Sequence, residues 1–111
     1  MKYALLIYGS RWSRDLPEDE REAVYREYEA LFDAPGVVDA IRLQPPEAAT
    51  TVRRDDGETL LTDGPFVDAK EYLGGLYVLE ADNLDAATAL AERIPATRLG
   101  GGVEVRPIME A

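Results

Sequence analysis

Neither cysteine nor histidine occurs in the 111 residues. Disulfides, thiolate nucleophiles and Cys or His metal sites are thereby excluded. So are Ser-His-Asp catalysis, zinc held by a His-x-x-x-His pair and iron held by two histidines and a carboxylate. Any proton transfer falls to Asp, Glu, Lys or Tyr. Positive charge is also scarce: 12 Lys and Arg stand against 22 Asp and Glu, a formal net charge of −10. Affinity for nucleic acid comes mostly from replacing phosphate counterions with basic side chains, and the bases here cluster no further than Arg53-Arg54. Neither nucleic acid nor an anionic membrane surface is an expected partner. Long apolar runs are missing too. "MKYALLIYGS" stays apolar for only a few residues before Gly9 and Arg11, too short for a signal-peptide core or a membrane span. A cytoplasmic location is the expectation, and no cofactor is expected.

What is present suits one ordinary domain spanning 1–111. The hydrophobic content of 46% can build a core without staples, because a chain of this length buries roughly 65% of its unfolded surface. "KYALLIY", Lys2 to Tyr8, is apolar on both parities, the pattern of a central strand. "LPEDEREAVYREYEALFDAPG" changes period: Val24, Tyr28, Leu31 and Phe32 fall at i, i+4, i+7 and i+8, which predicts a helix. Pro17 sits near its first turn, Glu18, Asp19 and Glu20 suit its positive end, and Pro35-Gly36 stops it. A second strand is predicted over Val37 to Gln44, with Ile41 and Leu43 on one face and Arg42 and Gln44 on the other, ended by Pro45-Pro46.

"TTVRRDDGETLLTD" predicts a hairpin, since Asp56-Gly57 supplies the two positive-φ positions of a type I′ turn. That register sets Val52 opposite Leu61 and Arg54 opposite Thr59. Tyr72 to Ala81 forms another long apolar strand. "DNLDAATALAERIPA" then forms a helix capped by Asp82 or Asn83, with Leu84, Ala87, Leu90, Ala91 and Ile94 on one face. "LGGGVEV" runs from a helix into a strand, the reverse of a phosphate-cradling loop, and reads as a connection before the closing strand "VEVRPI". With the hairpin set aside, the order is strand, helix, strand, strand, helix, strand. That order, with its two most apolar strands in central positions, predicts a ferredoxin-like α+β sandwich. Both helices then cover one face. The other face calls for a second copy, so a homodimer of the dimeric α/β-barrel kind is expected.

The densest chemistry lies in "LTDGPFVDAKEYLGGLYVLEA", Leu61 to Ala81. Asp63-Gly64-Pro65 reads as a turn with Phe66 plugging the core, and Gly74-Gly75 as a bulge or the close approach of another backbone. Two functional readings of the charged residues stand side by side. Lys70, among Asp63, Asp68 and Glu71, would stay charged and anchor an anion. Alternatively, burial at a dimer cleft would raise a carboxylate enough to move protons. Arg42 and Arg106 add anion contacts if their strands aim them at the same cleft. Tyr3, Tyr8, Tyr72 and Tyr77 lie on the two central strands and could line a pocket.

"DGPFVDAKEYLGG" resembles the signature of the DGPF-domain proteins of the YCII-related group. "MKYALLIYG", "LQPPEAATTVR" and "VEVRPIME" extend the resemblance along nearly the whole chain. It implies a ferredoxin-like fold dimerising through its sheet, and carries over Asp63 to Phe66, Lys70, Glu71, Gly74 and Gly75, with Tyr8 where a polar pocket residue is expected. Asp68 and Ala69 replace what are usually Glu and Thr or Ser. The His-Asp dyad proposed in the wider group cannot operate without a histidine. Members are often encoded near extracytoplasmic-function sigma factors.

Three functions follow as expectations. The first is a dimeric module binding a small molecule in a polar pocket near the DGPF motif, with Tyr8, Asp63, Phe66, Lys70, Glu71 and Arg106 as candidate contacts. The second is an enzyme using Asp, Glu, Lys or Tyr acid-base chemistry on a small metabolite. The third is a regulatory protein linked to a sigma factor through its acidic surface.

Overall fold

The structure, a computed structural model, describes residues 1–9 and 15–110. β1 (Lys2–Gly9) and β5 (Tyr72–Glu80) pair antiparallel at the centre of a four-stranded sheet ordered β2-β5-β1-β6. β2 (Val37–Arg42) and β6 (Gly102–Pro107) form its edges. The two most apolar strands take the two positions flanked by neighbours on both sides, as their composition requires. With β3 and β4 set aside, this is an antiparallel α+β arrangement compatible with a ferredoxin-like fold.

Alternation along the central strands decides which side holds the core. Tyr3, Leu5, Tyr77 and Leu79 are buried together with Leu31 of α1 (Glu18–Phe32) and Ala87, Leu90 and Ala91 of α2 (Leu84–Ala91). Leu6, Leu76 and Val78 alternate to the other side, where no member of that buried cluster lies. They are half-exposed there.

The predicted elements recur with shifted ends. Pro17 occupies the α1 N-cap and the acids Glu18, Asp19 and Glu20 its first turn. Gly36, at φ +89°, lets the chain turn back, and a side chain there would strike the Glu80 carbonyl. Asn83 caps α2 by accepting from the Ala86 N–H at 2.9 Å. Two expectations for the helices are corrected. Leu84 is exposed although it shares a column with buried Ala87 and Ala91, because it stands at the N-terminal end of the helix. α2 also stops at Ala91, so that Ile94, although fully buried, leads instead into a 3-10 turn at Pro95–Arg98. Likewise β2 ends at Arg42, short of Gln44.

β3 (Thr50–Asp55) and β4 (Glu58–Asp63) form a separate two-stranded sheet. Its register pairs Val52 with Leu61 and Arg54 with Thr59, as the Asp-Gly turn dictates. Asp56 and Gly57 both have positive φ, 48° and 79°, the condition of a type I′ turn.

Candidate functional site

A recess of about 390 Å³ opens on the helix side of the sheet, between α1, β2 and the start of β5. Its cause is local. Along the helix-facing row of β5, Leu79 and Tyr77 fill the core, but the next position is Gly75. Beside it, β1 ends in Gly9, which also lines the recess. Two missing side chains leave space under the C-terminal half of α1 that Ile7, Tyr25, Tyr28 and Phe32 border without filling.

Gly75 is constrained as well as small. A Cβ there would come within 2.5 Å of the Ile41 carbonyl oxygen, so β2 can pair this closely only with glycine at that position. Next to it the β1–β5 register shifts, with Ile7 opposite Gly75 and Tyr8 opposite Leu73. The bulge and the close approach expected from Gly74-Gly75 are therefore both present. Glycine at 74 meets no such obstacle, its nearest neighbour being the Ile7 oxygen at 3.8 Å.

The walls are aromatic. Tyr77 donates its hydroxyl to the Tyr28 carbonyl at 2.8 Å, and Phe32 meets the Tyr77 ring edge-on at 6.0 Å between centroids. Phe32 thus lies at a border of the recess, half-exposed, rather than inside the helix stripe. Burial, with a smaller contribution from Tyr28, pushes the Tyr77 phenol up to about 12. Burial also raises Tyr28, against a hydrogen bond from the Ala96 backbone and the charge of Arg98. Both hydroxyls stay protonated at neutral pH and act as neutral groups rather than bases.

Among the described residues two charged side chains line the recess, Glu29 and Arg42. Arg42 stands opposite Gly75, facing α1. Its guanidinium lies over the Tyr25 ring at 4.2 Å. Among the described residues no carboxylate forms an ion pair with it.

The sequence-derived candidates divide into two sets. The rear half of the DGPF stretch, Tyr72, Gly74 and Gly75, lines the recess, as do Arg42 and Tyr77. The front half does not. Asp63, Phe66, Lys70 and Glu71 are exposed and absent from the lining, and among the described residues Lys70 pairs with no carboxylate. Phe66 does not plug the core: it is 69% exposed, with the Arg53 guanidinium 5.0 Å above its ring. Phe66 follows β4, a strand exposed along its whole length, and among the described residues no buried cluster lies against it.

Tyr8 alternates away from Ile7 toward the other face. Arg106 sits opposite Ala4 on that same face and pairs with exposed Glu104. Arg42 and Arg106 consequently occupy opposite edges and opposite faces of the sheet, and do not converge. Tyr25 and Glu29 are not among the sequence-derived candidates, and Tyr28 figures only as part of the helix stripe, because that stripe reads as core. The available signal was the run Tyr25-Arg-Glu-Tyr28, which puts two phenols on adjacent turns at i, i+3.

Among the described residues no helix is long and apolar enough to cross a membrane, and no group of His, Cys, Asp and Glu could hold a metal. The family model of the YCII-related domain matches residues 1–111. An uncharacterised protein of Rhizobium meliloti (strain 1021) is 39% identical over 119 aligned residues, covering 97% of this chain and 92% of that protein. The chain belongs to the YCII-related domain family.

Proposed function

We propose that the protein is a dimeric small-molecule-binding module whose ligand occupies the recess behind the DGPF stretch. The observation that carries this reading is the recess itself. It is floored by Gly9 and Gly75, walled by aromatic rings and edged by one arginine without a carboxylate partner among the described residues. Its volume falls in the range of small-ligand sites, about 300–1,000 Å³. The protonated state of Tyr28 and Tyr77 favours binding over tyrosine-based proton transfer.

The dimer is supported by the uncovered face. Leu6, Leu76 and Val78 are half-exposed there beside Ile41, which is 48% exposed, an apolar strip across three adjacent strands that a second copy would bury. Sedimentation equilibrium is expected to give twice the chain mass, reduced to one by Leu76→Glu; a monomeric native chain would remove the dimer.

Thermal unfolding against a panel of metabolites tests the binding site. A ligand at about a hundred times its dissociation constant adds roughly 2.7 kcal/mol, a shift of several degrees for a domain this small. The shift is expected to disappear in Tyr25→Ala and persist in Lys70→Ala. The opposite pattern would move the ligand to the exposed charged loop.

A further inference from the structure

We propose that the recess selects a monocarboxylate carrying a flat apolar body, an aryl or arylalkyl acid, with Arg42 as the residue that holds its carboxylate. This inference rests on the reading of the recess as the ligand site and adds the ligand's class.

Among the described residues the recess has one cationic group, Arg42. Tyr77 has already spent its proton on the Tyr28 carbonyl, and the Tyr28 hydroxyl oxygen accepts from the Ala96 backbone N–H. The inner wall therefore offers mainly ring faces and the apolar surfaces of Ile7 and Phe32. A ligand body entering it meets the environment that aromatic or aliphatic carbon prefers.

Arg42 is the exception. Its stacking on Tyr25 at 4.2 Å uses the face of the guanidinium. The N–H donors of a guanidinium lie in its plane and point outward from its edge. A stacked arginine is thus held in orientation while its hydrogen-bonding fork remains unspent, the arrangement suited to a bidentate carboxylate. The opposite position, Gly75, has no side chain to occupy the space in front of it.

Charge sets the limit at one negative group. Glu29 lies in the same lining, and the whole chain carries −10, so a phosphate dianion or a dicarboxylate would face repulsion that a single carboxylate matched to Arg42 largely avoids.

The test uses three probes on the full chain: 4-phenylbutyrate, its uncharged amide, and phenyl phosphate. Titrations are followed by calorimetry and by the backbone amide shifts of Gly74 and Gly75. Phenylbutyrate is expected to bind saturably and move those amides, with the amide and the phosphate each at least about tenfold weaker. Arg42→Gln should weaken the acid to the level of the amide and leave the amide unchanged, and Arg42→Lys, which keeps the charge and loses the fork, should fall between. The amide binding as well as the acid, the phosphate binding better, or Arg42→Gln leaving the acid unaffected would each overturn the assignment. The amide moving Gly74 and Gly75 as strongly as the acid would overturn the carboxylate class while leaving the recess as the ligand site. No probe moving them, while a metabolite from the panel does, would have the same meaning. Phenylbutyrate binding with shifts confined to residues 63–71 would overturn both.

Discussion

The four-stranded body and the two-stranded arm follow the same pairing rules and differ in what lies against them. In the body, Leu5 has no exposed surface and Tyr77 only 3%, because each side chain on the helix face meets α1, α2 or a neighbouring strand. In the arm, Val52 and Leu61 are directly opposite one another yet remain 62% and 69% exposed. The radius of gyration, 15.8 Å against roughly 13 Å for a compact chain of this length, fits an arm that adds little burial. Backbone pairing therefore fixes register in both regions, while burial supplies stability in only one. A lone hairpin is marginal in water, so the arm's order depends on its turn chemistry and on whatever it meets outside this chain.

The widest contrast should come from truncating one leucine in each region. Leu5→Ala is expected to cost about 2–5 kcal/mol, a cavity in a packed core, whereas Leu61→Ala should stay within about 0.5 kcal/mol. Denaturant unfolding of both variants measures the gap. A cost at Leu61 approaching that at Leu5 would mean that the arm is buried in solution, with a second copy the first candidate to cover it.

Gly75→Ala probes the seam where body and recess meet. Its added methyl would collide with the Ile41 oxygen, so β2 must shift or separate, at about 1–3 kcal/mol as for other overpacking. Hydrogen exchange should accelerate in Val37–Arg42 before it does in β1. Uniform acceleration across the sheet would show that β2 is not the element under strain. Gly74→Ala, with open space around its Cβ, serves as the mild control.

The smallest effect concerns Tyr77. With its phenol pushed from 10.0 up to about 12 in the fold, the folded chain holds that proton more tightly than the unfolded one. The corresponding stability is fully present below pH 10 and is lost as pH rises toward 12. Tyr77→Phe should lose about 0.5–1.5 kcal/mol at neutral pH with its hydrogen bond to the Tyr28 carbonyl. It should then decline less steeply than the native chain between pH 10 and 12. Equal slopes would show that this tyrosine titrates as it does in the unfolded chain.

Much of this architecture was legible one residue at a time. Asp56-Gly57 specified the arm's turn and register, because few dipeptides accept two positive φ angles. The apolar parity of Lys2 to Tyr8 and of Tyr72 to Ala81 marked the central strands. Pro17, Pro35-Gly36 and the pair Asp82-Asn83 marked helix boundaries, the structure choosing Asn83 as the cap. Each of these signals is local, a matter of φ preference or side-chain period. The charged cluster around Lys70 was equally visible, and it left an exposed anion anchor and a buried carboxylate equally open, because spacing says nothing of depth. Whether Lys70 is enclosed depends on how the segment after β4 packs, and in this fold that segment is exposed.

By itself the sequence determined which segments form strands and helices, where the turns fall, the register of the arm and the absence of thiol and imidazole chemistry. Backbone preference and hydrophobic period act within a few residues, and residue types are simply given. Only the tertiary structure decided that Arg42 and Arg106 part company across the sheet, that Phe66 is left in solvent, and that Tyr25 and Tyr28 join Gly9 and Gly75 around one recess. Those outcomes depend on which face a strand presents and on where a missing side chain leaves a gap, and both are set by contacts between residues far apart in the chain.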